Sequence, residues 1–145
     1  MTIRCEIVSQ DRKVFSGDAD MVILPGIEGV MGILPNHSPV LTTLNYGIIT
    51  VVSKNERDYF TVAGGVAEVQ PDQVTVLADA AENVEEIDES RAEAAKQRAE
   101  NLLAEGRLGE QNEMDSVRNA LRRSTLRLDA LKRFKRSRKM RGYDS

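Results

Sequence analysis

The sequence predicts a two-part fold: an all-β first half built as a sandwich or barrel of hairpins, then an antiparallel pair of helices. Three observations carry this reading. Apolar and polar residues alternate in short pieces from Thr2 to about Asp79, as they do in half-buried strands. Turn signals at Gly17, Pro25-Gly26, Pro35-Asn36, Gly47, Lys54-Asn55, Gly64-Gly65 and Pro71-Asp72 recur every seven to twelve residues, a spacing that suits hairpins. Beyond Asp79 the apolar period lengthens to three and four, which is helical.

The first strand is read from Ile3, Cys5 and Ile7, which alternate with Arg4 and Glu6. Further strands are expected at Met21 to Leu24, Ile48 to Val52, Tyr59 to Val62 and Val74 to Leu77, runs rich in branched and aromatic residues. The first helix follows from Asp88, Ala92, Ala95, Ala99 and Leu102, a stripe of mostly small residues, with Asp88 placed to cap its start and Gly106 its end. Gly106 to Asn112 reads as a connector. Met114, Val117, Leu121, Ser124, Leu128 and Leu131 then predict a second helix of up to about 26 residues, roughly 39 Å long. A short connector between two helices implies an antiparallel hairpin. Because alanine buries little apolar area, the seam between the helices is expected to hold by only a few kcal/mol, which leaves opening accessible.

Charge divides the chain at the same place. Residues 1–86 hold five basic and thirteen acidic side chains, and residues 87–145 hold fifteen basic and ten acidic. Between Arg118 and Arg141 eleven Lys or Arg face one acid, Asp129, so this stretch should be drawn to a negative partner. Charged residues throughout the first twenty positions argue against a secretory signal and leave no window there for a membrane span. A soluble, cytoplasmic chain is expected.

No catalytic or metal constellation is visible. Cys5 and His37 are the only cysteine and histidine, too few for a zinc site. His37 lies in a turn-rich stretch between Pro35 and Pro39, where a lone histidine more often packs or meets a partner than serves as a catalytic base. Gly26, Gly29 and Gly32 are not followed by the Lys-Ser or Lys-Thr of a phosphate-cradling loop. Glu85, Glu86, Asp88 and Glu89 suit a solvated helix start. The tail Lys132 to Arg141 has the charge for phosphate neutralisation, but only Phe134 and Tyr143 offer stacking surfaces and the acidic first half repels a nucleic acid. Neither an enzyme nor a nucleic-acid binder is expected.

The stretches GVMGILPNHSPVLTTL (Gly29 to Leu44), AGGVAEVQPDQVTVLADAA (Ala63 to Ala81) and IDESRA (Ile87 to Ala92), with the basic second helix after them, closely resemble the epsilon subunit of bacterial F-type ATP synthases, called delta in mitochondria. The resemblance covers nearly the whole chain. It implies a ten-stranded sandwich of two five-stranded sheets over residues 1–84, bound to the rotor, and a regulatory helical hairpin with a basic tail over 85–145. It further implies a non-catalytic rotor subunit on the cytoplasmic face of the bacterial plasma membrane. Its partners would be the gamma subunit, the c-subunit ring and, through a mobile C-terminal arm that blocks ATP hydrolysis, the alpha and beta subunits.

Site residues follow from the same resemblance. The loop Glu28 to His37, with Glu28, Gly29, Val30, Met31, Gly32 and His37, would contact the rotor. Val30 stands where some relatives carry an acid, so an ion pair made there is missing here. Arg118, Arg122, Arg133 and Arg136 would serve the inhibitory arm. No obligatory cofactor is implied, but ATP is, as a regulatory ligand: Ile87, Asp88, Arg91 and Ala92 match the motif of relatives that bind it, and Glu82, Arg98, Arg123 and Arg127 fall where those relatives contact nucleotide. Helical spacing alone agrees, since Arg91 and Arg98 lie two turns apart and Arg123 and Arg127 one turn apart. A hairpin turning near residue 109 places Arg91 opposite Arg127 and Arg123 near Ala95. The other reading makes Asp88 a helix cap and Arg91 its salt-bridge partner.

Overall fold

The computed structural model describes residues 1–106 and 109–143, leaving aside the side chains of 139–143. The expected connector thus falls partly outside the described residues, at 107 and 108, as does the end of the basic tail, at 144 and 145. Eight strands come first: β1 (Ile3–Val8), β2 (Lys13–Ala19), β3 (Met21–Gly26), β4 (Gly29–Ile33), β5 (Val40–Ser53), β6 (Glu56–Val69), β7 (Gln73–Ala78) and β8 (Ala81–Asn83). A single 3-10 turn at Val84–Glu86 leads to α1 (Glu89–Glu105) and α2 (Gln111–Tyr143).

The strands pair in the order β2-β1-β7-β6-β5-β3-β4, with β8 also on β6. Only β1 and β7 run parallel among these pairs. Expectation and structure part here: there are eight strands in one hydrogen-bonded path, where ten in two sheets were expected. The reason is that β5 and β6, each 14 residues long, run on through both layers. Their ladder skips Asn45 and Gly64, and Gly64 and Gly65 take φ of 93° and 133°, values open in practice only to glycine. A Cβ on Gly65 would lie 2.8 Å from the Cα of Ala78. The glycines read as turns at 47, 64 and 65 are therefore strand-interior residues, which mark bends and close approaches. Likewise Gly29 and Gly32, read as loop, lie in β4.

Folding the path over places its apolar face inside. Ile3, Cys5, Ile7, Val22, Leu24, Ile49, Val51, Phe60, Val62, Val74 and Val76 form the main core. Phe15 of β2 meets Phe60 of β6 at 5.3 Å between ring centroids. Since β1 and β7 separate those strands along the path, this contact crosses the interior.

In the middle of β5 and β6 the alternation stops: Ile48 to Val51 and Tyr59 to Val62 are buried without a break. One face looks into the sandwich and the other is covered by α2. Ile48 and Tyr59 join Val84, Ala130 and Leu131 in a second core, with Ile87, Leu126 and Phe134 packed against it. The hairpin is thus held by the sheet as well as by its own seam.

The seam forms as the small residues predict, with Ala92, Ala99 and Ser124 each 2 % exposed; Leu102, expected on it, is exposed. An ion pair of 2.6 Å between Lys135, late in α2, and Glu89, at the start of α1, shows that the helices are antiparallel. At 33 residues α2 exceeds the expected 26, because its apolar stripe fades after Phe134 while the Lys and Arg that follow remain good helix formers.

Candidate functional site

A cleft of about 540 Å³ opens between the sandwich and the two helices, with Glu82, Glu86, Ile87, Asp88, Arg91, Ala92, Ala94, Ala95, Arg98 and Arg127 on its walls. Seven of the eight residues named from the sequence for ATP therefore meet in one place. The eighth, Arg123, lines an adjoining cavity of about 80 Å³ together with Thr61, Ala63, Ala80 and Leu126; Glu82 and Arg127 border both spaces. Its expected place beside Ala95 is corrected: it lies one turn before Arg127 but faces the sheet.

Each side chain reaches the cleft for a local reason. Glu82 sits in β8, held on β6 by the pairing of Thr61 with Glu82. Asn83 caps the 3-10 turn, its Oδ1 accepting from the Glu85 N–H at 2.9 Å. Asp88 caps α1, its Oδ1 accepting from the Arg91 N–H at 3.1 Å. The cap half of the simpler reading is thus present; an Asp88–Arg91 ion pair is not among those of the described residues. From that start, Arg91 and Arg98 project from one face of α1, and Arg127 comes from α2.

The charges are unequally paired. Arg127 forms an ion pair with Glu82, whose Oε1 also accepts from Thr61 Oγ1 at 3.5 Å. Glu86 is bound at both oxygens by Arg12, at 3.0 and 2.6 Å. Those hydrogen bonds hold the Glu86 carboxyl below its ordinary range and raise Arg12. Arg91 and Arg98 form no ion pair among the described residues, and both line the cleft. Like charges so placed repel until an anion joins them.

The sequence reading missed Glu86, Arg12, Ala94 and Ala95 here. Ala94 and Ala95 follow from the helical period once Arg91 and Arg98 are placed. Arg12 has no sequence signal, since 74 residues separate it from Glu86.

The residues named for rotor contact lie on and after the β3–β4 hairpin. Ile27 and Glu28 form its tip between the paired Gly26 and Gly29, and the Ile27 N–H donates to the Thr43 carbonyl at 2.9 Å. Glu28, Gly29, Val30 and Gly32 are exposed, while Met31 turns inward against the core. His37 is half-buried, and its Nδ1 donates to the Ser38 carbonyl at 2.7 Å. Ile27, Val30, Leu34 and Leu41, at the β3–β4 tip, on β4, just after it and at the start of β5, are 60, 78, 56 and 71 % exposed. Such a set of exposed apolar side chains suits a contact surface. Of these the sequence reading named only Val30; apolar residues inside a turn-rich stretch were the available signal.

Of the four arginines named for the arm, Arg118, Arg133 and Arg136 are exposed and form no ion pair among the described residues, whereas Arg122 lies over the Tyr46 ring at 3.9 Å. No helix among the described residues is long and apolar enough to cross a membrane, and no group of potential ligands among them could hold a metal ion.

Comparison with known proteins agrees with this architecture. Residues 2–84 match the family model of the ATP synthase Delta/Epsilon chain beta-sandwich domain, and residues 85–132 that of its long alpha-helix domain. The ATP synthase epsilon chain of Pelotomaculum thermopropionicum is 52 % identical over 103 residues, 71 % of this chain and 77 % of that one. That of Xanthomonas campestris pv. campestris is 40 % identical over 138 residues, 94 % of this chain and 96 % of that one. A chain of the Euglena gracilis mitochondrial ATP synthase shares the fold at a TM-score of 0.70 and 23 % identity, over 83 % of this chain and 76 % of that one. Two family models that between them span most of the chain, and bacterial relatives this similar, place it: it belongs to the ATP synthase delta/epsilon family, as an epsilon subunit.

Proposed function

We propose that this chain is a central-stalk subunit that couples the gamma subunit and the c ring to the catalytic head, restrains ATP hydrolysis through its helical arm, and is itself regulated by ATP. As a family member it is a non-catalytic subunit and not an enzyme on its own. Through the complex it sits at the cytoplasmic face of the bacterial membrane. The exposed apolar side chains of Ile27, Val30, Leu34 and Leu41 support rotor contact. Three outward-facing arginines, Arg118, Arg133 and Arg136, support docking of the arm on acidic surfaces of the alpha and beta subunits.

The observation that carries the regulatory part is the composition of the cleft. Its walls come from the sandwich, the linker and both helices, so it exists only while the arm is folded down. A triphosphate held there by Arg91, Arg98 and Arg127 stabilises the folded arm and not the extended one. At about 100 times its dissociation constant such a ligand adds roughly 2.7 kcal/mol to the folded state.

ATP titrated into the isolated chain by calorimetry tests this. Binding should be lost in Arg91→Ala and weakened less in Arg123→Ala, whose side chain lies in the adjoining cavity. No heat at millimolar ATP sinks the regulatory reading. In the assembled enzyme, deletion from Glu113 onward should raise ATP hydrolysis; unchanged hydrolysis removes the arm's restraining role.

A further inference from the structure

Among the charged residues around the cleft, Arg12 stands apart. It comes from the turn between β1 and β2, far along the chain from every cleft residue, and it is not on the cleft wall. Yet it binds both oxygens of Glu86, which is. Without Arg12 the wall carries three acids, Glu82, Glu86 and Asp88, against three arginines, Arg91, Arg98 and Arg127. Such a wall has no net attraction for a polyanion. The Glu82 charge is taken up by Arg127 and the Asp88 carboxylate accepts from the start of α1. Glu86 is the acid whose partner comes from outside.

We infer that Arg12 is a positioning residue of the cleft: its bidentate grip neutralises Glu86 and turns both carboxylate oxygens toward the sandwich, so that the wall accepts a nucleoside triphosphate. The inference rests on the ATP-binding reading proposed above. Bidentate guanidinium–carboxylate pairing fixes orientation as well as charge, and lysine at this position would do less. The grip also ties the linker just before α1 to the turn between β1 and β2.

The ligand itself is not touched by Arg12, so the test reads its effect through Glu86. ATP is titrated by calorimetry into the full chain as wild type, Arg12→Gln, Glu86→Gln and the double variant, with Arg91→Ala as control. Both pair members are about half exposed, so the effect is modest. Arg12→Gln should weaken ATP about two- to fivefold, Glu86→Gln should tighten it, and the double variant should return to wild-type affinity. That rescue separates charge compensation from a structural role, since a merely structural loss would persist in the double variant. Wild-type affinity in Arg12→Gln, or a double variant as weak as Arg12→Gln, overturns the inference while leaving the site intact. Absence of binding by the wild type removes both.

Discussion

Replacing Leu131 by alanine should release the arm without unfolding the sandwich. Leu131 is 8 % exposed and packs in the second core with Ile48, Tyr59, Val84 and Ala130. Buried Leu→Ala changes cost about 2–5 kcal/mol, and the low end applies where neighbours can close around the gap. This core lies between a helix and an outer sheet face, so about 2 kcal/mol is expected, or roughly thirtyfold in the docking equilibrium. The main core, with Cys5, Phe60, Val74 and Val76, shares no residue with it. Amide hydrogen exchange on the isolated chain reads the two parts separately. An undocked helix is marginal in water, so amides from Leu126 to Phe134 should exchange about thirtyfold faster, while those of Cys5, Val74 and Val76 stay unchanged. Equal acceleration everywhere means that the arm and the sandwich open as one unit. No acceleration means that this patch does not hold the arm. Either result would refute the reasoning.

Three further outcomes are expected. Gly65→Ala should destabilise the sandwich by more than about 2 kcal/mol, because a Cβ there meets Ala78 Cα at 2.8 Å at a φ of 133°; a urea midpoint equal to wild type would show that the bend tolerates a side chain. Burial, reinforced by Glu6, pushes the Cys5 thiol from 9.0 up to about 12, so it favours folding fully below pH 9.0, a contribution lost as pH rises toward about 12. Cys5 should accordingly resist alkylation at pH 8 in the folded chain and react fast in urea, and rapid labelling of the native chain would contradict its burial. Tyr46→Leu should remove the Arg122 stacking, worth about 0.5–1 kcal/mol near the surface, and speed exchange around Arg122 by about two- to fivefold, with Leu126 to Phe134 affected less; an effect confined to the Phe134 region would misplace the contact.

What the sequence determined by itself is what depends on period and local chemistry. The change from alternation to a helical step after Asp79 marks the passage from strands to helices but passes over the short β8 at Ala81–Asn83, and the Asp88 cap and Gly106 end bound α1 as read. Spacing along the helices brings Arg91 and Arg98 to one face. Glu82, Ile87, Asp88, Ala92 and Arg127 were named from the family resemblance, and the fold brings them to one cleft with Glu86, Ala94 and Ala95, which the resemblance did not name. Tertiary structure alone decided whatever joins distant segments. Only the folded-over sheet reveals that β5 and β6 each run 14 residues through both layers, because glycines that bend a strand and glycines that end one look alike in sequence. That Arg123 faces the sheet depends on how α2 rolls onto Ile48 and Tyr59, a rotation fixed by the packing of Ala130 and Leu131. Arg12 reaches Glu86 only because β1 pairs with β2 and places their turn beside the linker. Such a contact lies 74 residues apart in sequence, beyond any local periodicity, since charge attraction between exposed groups specifies no partner until the fold has brought one within reach.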